Sequence, residues 1–246
     1  MSRTGSRAPV SATFGSSEHA RDGKVITANF IHRTFRIKCG ESVGTAFTVD
    51  VDGKQYLVTA RHVIQRFAEA SGLEVFGNGG WTPVRASLVA HGAGDIDVSV
   101  LAPASAMSPP GLPVTAGSDG LVYGQDVYFL GFPYGVLSQV IFGEAGHPLP
   151  LVKRAAVSAF AGDVYLLDGH NNPGFSGGPV IFGRGGGAPD SVAAVISGYR
   201  FSPEPVLINE AKTPFTYQYN IGIIVSFKIE AALRLIRTNP IGAPVG

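Results

Sequence analysis

Asn172-Pro-Gly-Phe-Ser-Gly-Gly-Pro179 sets a serine, Ser176, between two glycines, Gly174 and Gly177. A serine hydroxyl is a weak nucleophile by itself. It needs a base to take its proton and donors to hold the oxyanion that forms after attack. Glycine on each side lets the backbone turn sharply and aim its amides at such an oxyanion, where side chains would obstruct the turn. Taken alone, the stretch could equally be a plain turn. The rest of the chain decides between the two.

Upstream, Leu57-Val-Thr-Ala-Arg-His-Val63 is an apolar strand running into a helix start, with His62 at the junction. A histidine so placed is held rigidly yet can face a cleft, and its ordinary pKa of about 6.5 suits a general base. Asp97 opens Asp-Val-Ser-Val-Leu101, where Val98 and Val100 alternate with Asp97 and Ser99. An aspartate at the head of such a strand is partly buried and can orient an imidazole; Asp95, two residues earlier, competes for the role. A lone histidine is more often structural, and a lone aspartate more often faces water. The three together, in the order His, Asp, Ser, place base and carboxylate in the first half of the chain and nucleophile in the second. The site then falls in a cleft between halves.

The composition agrees with a compact, strand-rich chain. Of 246 residues, 45% are hydrophobic and 15% charged, with 33 glycines and 17 prolines scattered throughout. Such a balance excludes a disordered chain and implies many short strands joined by turns. The formal net charge of +1 comes from mixed signs without a basic block, so nucleic acid is not an expected partner. The single cysteine, Cys39, cannot form an internal disulfide and reads as a small residue at a strand end. Met1 to Asp22 lacks the apolar run of a signal peptide, and no stretch approaches the roughly 20 apolar residues of a membrane span. The expectation is a cytoplasmic protein with no membrane association.

Residues 1–22 read as a loose arm, 23–115 as an N-terminal β-barrel carrying His62 and Asp97, and 116–246 as a C-terminal β-barrel carrying Ser176. Expected strands include Phe30–Ile37, Gly44–Val51, Gln55–Thr59, Thr82–His91, Asp97–Leu101, Val136–Phe142, Ser191–Ser197 and Tyr217–Val225. Asp52-Gly53 is a favoured hairpin turn between the second and third of these. His62–Ala70 reads as a short helix, Phe227–Arg237 as a closing amphipathic helix, and the proline-bearing Ala102–Ser118 as a linker between halves.

Gly44-Thr-Ala-Phe47, Val58-Thr-Ala-Arg-His-Val63, Asp97-Val-Ser-Val-Leu101, Leu130-Gly-Phe-Pro133, Asp168 through Pro179 and Asn220-Ile-Gly-Ile-Ile224 together carry a resemblance. The chain resembles the chymotrypsin-type (trypsin-like) serine proteases, in particular their disulfide-free HtrA/Deg-like bacterial branch, over roughly Phe30 to Arg237. The resemblance implies an all-β fold of two Greek-key barrels with a C-terminal helix. It selects Asp97 over Asp95, because the family runs Asp, aliphatic, small, aliphatic, Leu. It further implies Ser176 as nucleophile, His62 as base and later acid, and Asp97 as the group fixing the imidazole's tautomer. The amides of Gly174 and Ser176 would form the oxyanion hole. Ser197 would lie beside Asp97, and Ser197-Gly198 would pair with a substrate backbone as an added strand.

The chain also departs from that pattern. Arg61 replaces a small residue before the histidine, and Phe175 replaces the usual Asn or Asp before the serine, adding apolar bulk near the site. Neither a PDZ-like domain nor an activation site with a free Ile or Val N-terminus is present in the sequence. His170 stands where family members often place the base of the primary specificity pocket, which would suit an acidic or polar side chain and disfavour a basic one. The remaining histidines (His19, His32, His91, His147) show no metal-ligand spacing, so neither metal nor other cofactor is expected. The reading is a serine endopeptidase acting on peptides or proteins. The alternative is a dormant protease-like module that binds peptides or partners.

Overall fold

The computed structural model describes residues 26–67, 72–135 and 148–245. The expected arm at 1–22 and strand at Val136–Phe142 lie outside the described residues, as do His19 and His147. The chain is built from two curled sheets, antiparallel except for one short parallel pair, and a closing helix, the chymotrypsin-like all-β fold.

The first sheet is assembled from β1 (Thr34–Cys39), β2 (Ser42–Val51), β3 (Lys54–Thr59), β4 (Glu74–Gly77), β5 (Gly80–Pro83), β6 (Ala86–His91) and β7 (Ser99–Pro103). Their spatial order is β5-β4-β1-β2-β3-β7-β6. The β2–β3 turn is Asp52-Gly53 with φ of 49° and 72°, the left-handed pair that a two-residue hairpin requires. Four expectations are corrected here. Phe30–Ile37 is not one strand: α1 (Ala28–His32) precedes β1 and buries Phe30. Thr82–His91 splits in two, with Val84 and Arg85 outside any strand. The helix after β3, α2, is a single turn, Arg61–Ile64, and Asp97 lies just before β7 rather than within it.

The second sheet contains β8 (Thr115–Ala116), β9 (Asp126–Gly131), β10 (Leu151–Ala161), β11 (Val164–Asp168), β12 (Pro179–Phe182), β13 (Ser191–Ile208) and β14 (Ala211–Lys228). β9, β10 and β11 form a meander, and β12 returns beside β9, the Greek-key connection. Pairing of β12 with β13 closes this barrel. The expected Ser191–Ser197 and Tyr217–Val225 strands are far longer than anticipated, each running to 18 residues. Their distal parts pair with each other as an arm (Phe201↔Asn220 to Ile208↔Ala211).

The helix α3 (Ile229–Thr238) buries Ile229, Ala232, Leu233 and Ile236 against a core that also holds Val58, Val100, Leu130 and Val195, so residues from both sheets share one apolar cluster. After α3, β15 (Ala243–Pro244) crosses back to pair with β3 of the first sheet. The proline-bearing connection is pinned rather than free. Arg33, 1% exposed, donates to both Asp50 oxygens at 2.9 and 2.6 Å and to the Leu112 carbonyl. Gln55 Oε1 accepts the Met107 and Ser108 amides at 2.6 and 2.9 Å.

Candidate active site

The elements that carry the candidate residues come from opposite sheets. His62 sits on α2, immediately after β3, and Asp97 on the loop before β7. Ser176 lies on the loop between β11 and β12, and Ser197 on β13. Asp97 is the hub. Its Oδ1 accepts the His62 main-chain amide at 2.9 Å, and its Oδ2 lies 2.7 Å from His62 Nδ1. Oδ2 also accepts the Ser197 hydroxyl at 2.6 Å. Burial pushes the Asp97 carboxyl up, but hydrogen bonds from His62 and Ser197 and the neighbouring imidazole outweigh it and leave the group below its ordinary range. Asp95 is exposed; it makes no hydrogen bond to His62 or Ser197 and lines the groove beside Asp97.

A carboxylate on Nδ1 leaves Nε2 as the free imidazole nitrogen. The Ser176 hydroxyl donates to the Ser197 carbonyl at 3.0 Å, and no hydrogen bond joins it to His62. Ser197 therefore touches both ends of the constellation, its side chain on Asp97 and its carbonyl on Ser176.

The serine loop is held by the other barrel. Thr45 on β2, fully buried, donates its hydroxyl to the Gly174 carbonyl at 2.7 Å, and its amide donates to the Ser176 carbonyl at 2.8 Å. Gly177 has φ of 86°, and a Cβ there would fall 2.0 Å from the Thr45 carbonyl oxygen. Only glycine allows that approach. Among the described residues the Gly174 and Ser176 amides, on either side of Phe175, donate to nothing.

Both departures from the expected sequence pattern have structural explanations. Arg61 reaches away from His62 and donates to the carbonyls of Gly92 and Gly94 at 2.9 and 3.0 Å, bracing the loop that carries Asp97. Phe175 does not add bulk at the site, contrary to expectation. It is completely buried in the second barrel, edge-on to Phe129 with ring centroids 4.9 Å apart.

His170 is exposed, and its carbonyl accepts a bond from Lys153 Nζ, which also donates to Asn172 Oδ1 at 3.2 Å. Desolvation pulls the Lys153 ammonium's pKa down. The buried polar tie is the next residue, Asn171, 1% exposed. Its Nδ2 donates to the Gly198 carbonyl at 3.1 Å, and its own carbonyl accepts Asn220 Nδ2 at 2.9 Å. Sequence reading missed Thr45, Lys153, Asn171 and Asn220 as contributors; for Thr45, Asn171 and Asn220 the only signal was their place in the family-like motifs. A groove of about 500 Å³ opens from Asp97 and Ser197 along Gly198, Tyr199 and Arg200. Among the described residues no group of three His, Cys, Asp or Glu side chains is placed to hold a metal ion.

A family model described as the trypsin-like peptidase domain matches residues 44–186, from β2 through the serine loop. The chain belongs to this family. Solved structures similar to the chain include the HtrA-type protease AlgW with tripeptide, at 20% identity over 85% of this chain and 60% of that one, TM-score 0.53. The active form of a protease from M. tuberculosis is similar at 18% identity, covering 89% and 86% of the two chains, TM-score 0.54. Deg5 follows at 19% identity, 84% and 88% coverage, TM-score 0.51. At these identities the likeness speaks for the fold, and this chain spans about 60% of the AlgW chain. No curated protein matches the sequence.

Proposed function

We propose that the protein is a serine endopeptidase in which His62, Asp97 and Ser176 act as a triad on peptide or protein substrates. The observation that carries this reading is the Asp97 hub. A single carboxylate fixes the His62 ring through Nδ1 and its main chain through the amide, which leaves Nε2 as the base. In the proposed reaction the Ser176 hydroxyl leaves the Ser197 carbonyl and gives its proton to His62 Nε2 as Oγ attacks the scissile carbonyl. The Gly174 and Ser176 amides hold the resulting oxyanion. His62 then protonates the departing amine, leaving an acyl-enzyme. Water, deprotonated by His62, releases the acid and restores Ser176. The Ser197 carbonyl freed in the first step is an acceptor for the substrate's own amide, so substrate entry and nucleophile release are linked.

One observation favours the dormant alternative: the Ser176 hydroxyl is parked on the Ser197 carbonyl rather than on the imidazole. A fluorophosphonate probe separates the two. Labelling of the folded protein that is lost in Ser176→Ala supports the peptidase, whereas a folded protein that never labels sinks it in favour of the binding module. His170 as a specificity determinant is tested in the same preparation by a peptide-library profile of wild type against His170→Ala.

A further inference from the structure

The β13–β14 arm projects beyond the closed barrel, and over 201–220 its strands pair with each other alone. A bare two-stranded ribbon is marginal in water and exposes unpaired backbone along both edges. The two edges here differ. The β13 edge carries Pro203 and Pro205, which supply no N–H to an incoming strand. The β14 edge over Phe215-Thr-Tyr-Gln-Tyr-Asn-Ile221 has no proline and no charge, and its side chains are β-prone. The backbone of residues 216–219 bonds to β13 and, among the described residues, to nothing else. Phe215, Tyr217, Tyr219 and Ile221 alternate along one face and are 70%, 52%, 54% and 42% exposed.

This seven-residue pattern is symmetric about Gln218. We infer that the protein pairs with a second copy of itself through this edge, β14 against β14, antiparallel and two-fold about Gln218. That register sets Tyr217 opposite Tyr219 of the second copy and Phe215 opposite Ile221, joining the apolar faces into one ladder. Thr216 falls opposite Asn220, and Gln218 opposite Gln218, on the polar face. Like meets like in every cross-strand pair and no charges oppose, as an isologous interface requires. The tip of each arm meets the root of the other, so the two barrels sit at opposite ends of a four-stranded ribbon. Aromatic side chains bury on the order of 150–250 Å² when fully covered, so covering these half-exposed side chains, four from each copy, removes roughly 600–1,000 Å² at most. That is below the usual size of a stable interface, so a weak, reversible dimer is expected. The pairing is independent of the peptidase reading.

Sedimentation velocity on the full chain tests it. A shift from monomer to dimer as concentration is raised is expected, abolished in the double variant Tyr217→Lys, Tyr219→Lys with an unchanged melting curve. Under oxidation Gln218→Cys should form a covalent dimer, since the only other cysteine, Cys39, is buried, while Ser202→Cys on β13 should not. A wild type that stays monomeric throughout overturns the inference, as does a lysine double variant that still dimerises. Equal cross-linking of the two cysteine variants does the same. A wild type whose mass never changes but whose lysine variant cleaves a protein substrate poorly assigns the arm to substrate docking instead, and likewise overturns self-pairing.

Discussion

Asp97 accepts three hydrogen bonds, and each makes a separable demand on that residue. Asp97→Asn keeps the shape but presents an amide where His62 Nδ1 needs an acceptor, so kcat/KM should fall by about 10⁴-fold with little change in KM. Because the folded carboxyl is held below its ordinary value, the stability it contributes is present above the unfolded pKa of about 4 and is lost as pH falls through the lower folded value. Melting curves of Asp97→Asn should therefore be flatter than wild type in that acidic window, and parallel slopes would refute this. Lys153 tests a different dependence. It has no carboxylate partner among the described residues, and its ammonium bonds instead to the His170 carbonyl and to Asn172 on the loop that leads to Ser176. Lys153→Met should lower kcat/KM roughly ten- to a hundredfold, chiefly through kcat, and Lys153→Arg should restore most of it. His62, Asp97 and Ser176 could be picked out as candidates because strand ends and glycine frames are written in adjacent residues. Lys153 was not, since a lysine on an alternating strand carries no mark of the loop it will meet.

At the scale of elements, the connection between the barrels behaves as a structural member. Arg33 is almost fully buried, with Asp50 25% exposed, and the pair ties β2 to the proline-bearing segment through the Leu112 carbonyl. Arg33→Met would strand the Asp50 carboxylate and release that segment, so urea denaturation should show a loss of about 3 kcal/mol. Replacing Arg33 and Asp50 together by apolar residues should recover part of it. Sequence reading placed most strand cores within a few residues, because alternation and Asp-Gly turns are local signals. It failed where tertiary packing overrides propensity. Phe30 lies in a β-prone run but is needed in the core from a helical turn, and the arm's strands lengthen by pairing with each other rather than with the barrel.

Taken whole, the molecule places its candidate chemistry on a seam: imidazole and carboxylate come from the side of one sheet, the Ser176 hydroxyl and the Gly174 and Ser176 amides from the other. Thr45 is the stitch across it. Thr45→Val keeps the volume but leaves the Gly174 carbonyl without its partner, so a loss of about 1–3 kcal/mol is expected. A larger proportional fall in kcat than in stability should accompany it, measured by thermal melts alongside turnover. Equal activity in the two proteins would show that the serine loop holds its shape without the first barrel. The sequence by itself determined the strand-rich class, the family and the three residues proposed for the reaction, because each rests on a pattern a few residues long. Only the tertiary structure decided what holds those residues. Thr45 and Gly174 stand 129 residues apart, and such contacts exist only once two sheets have packed, since nothing in either residue's neighbours names the other.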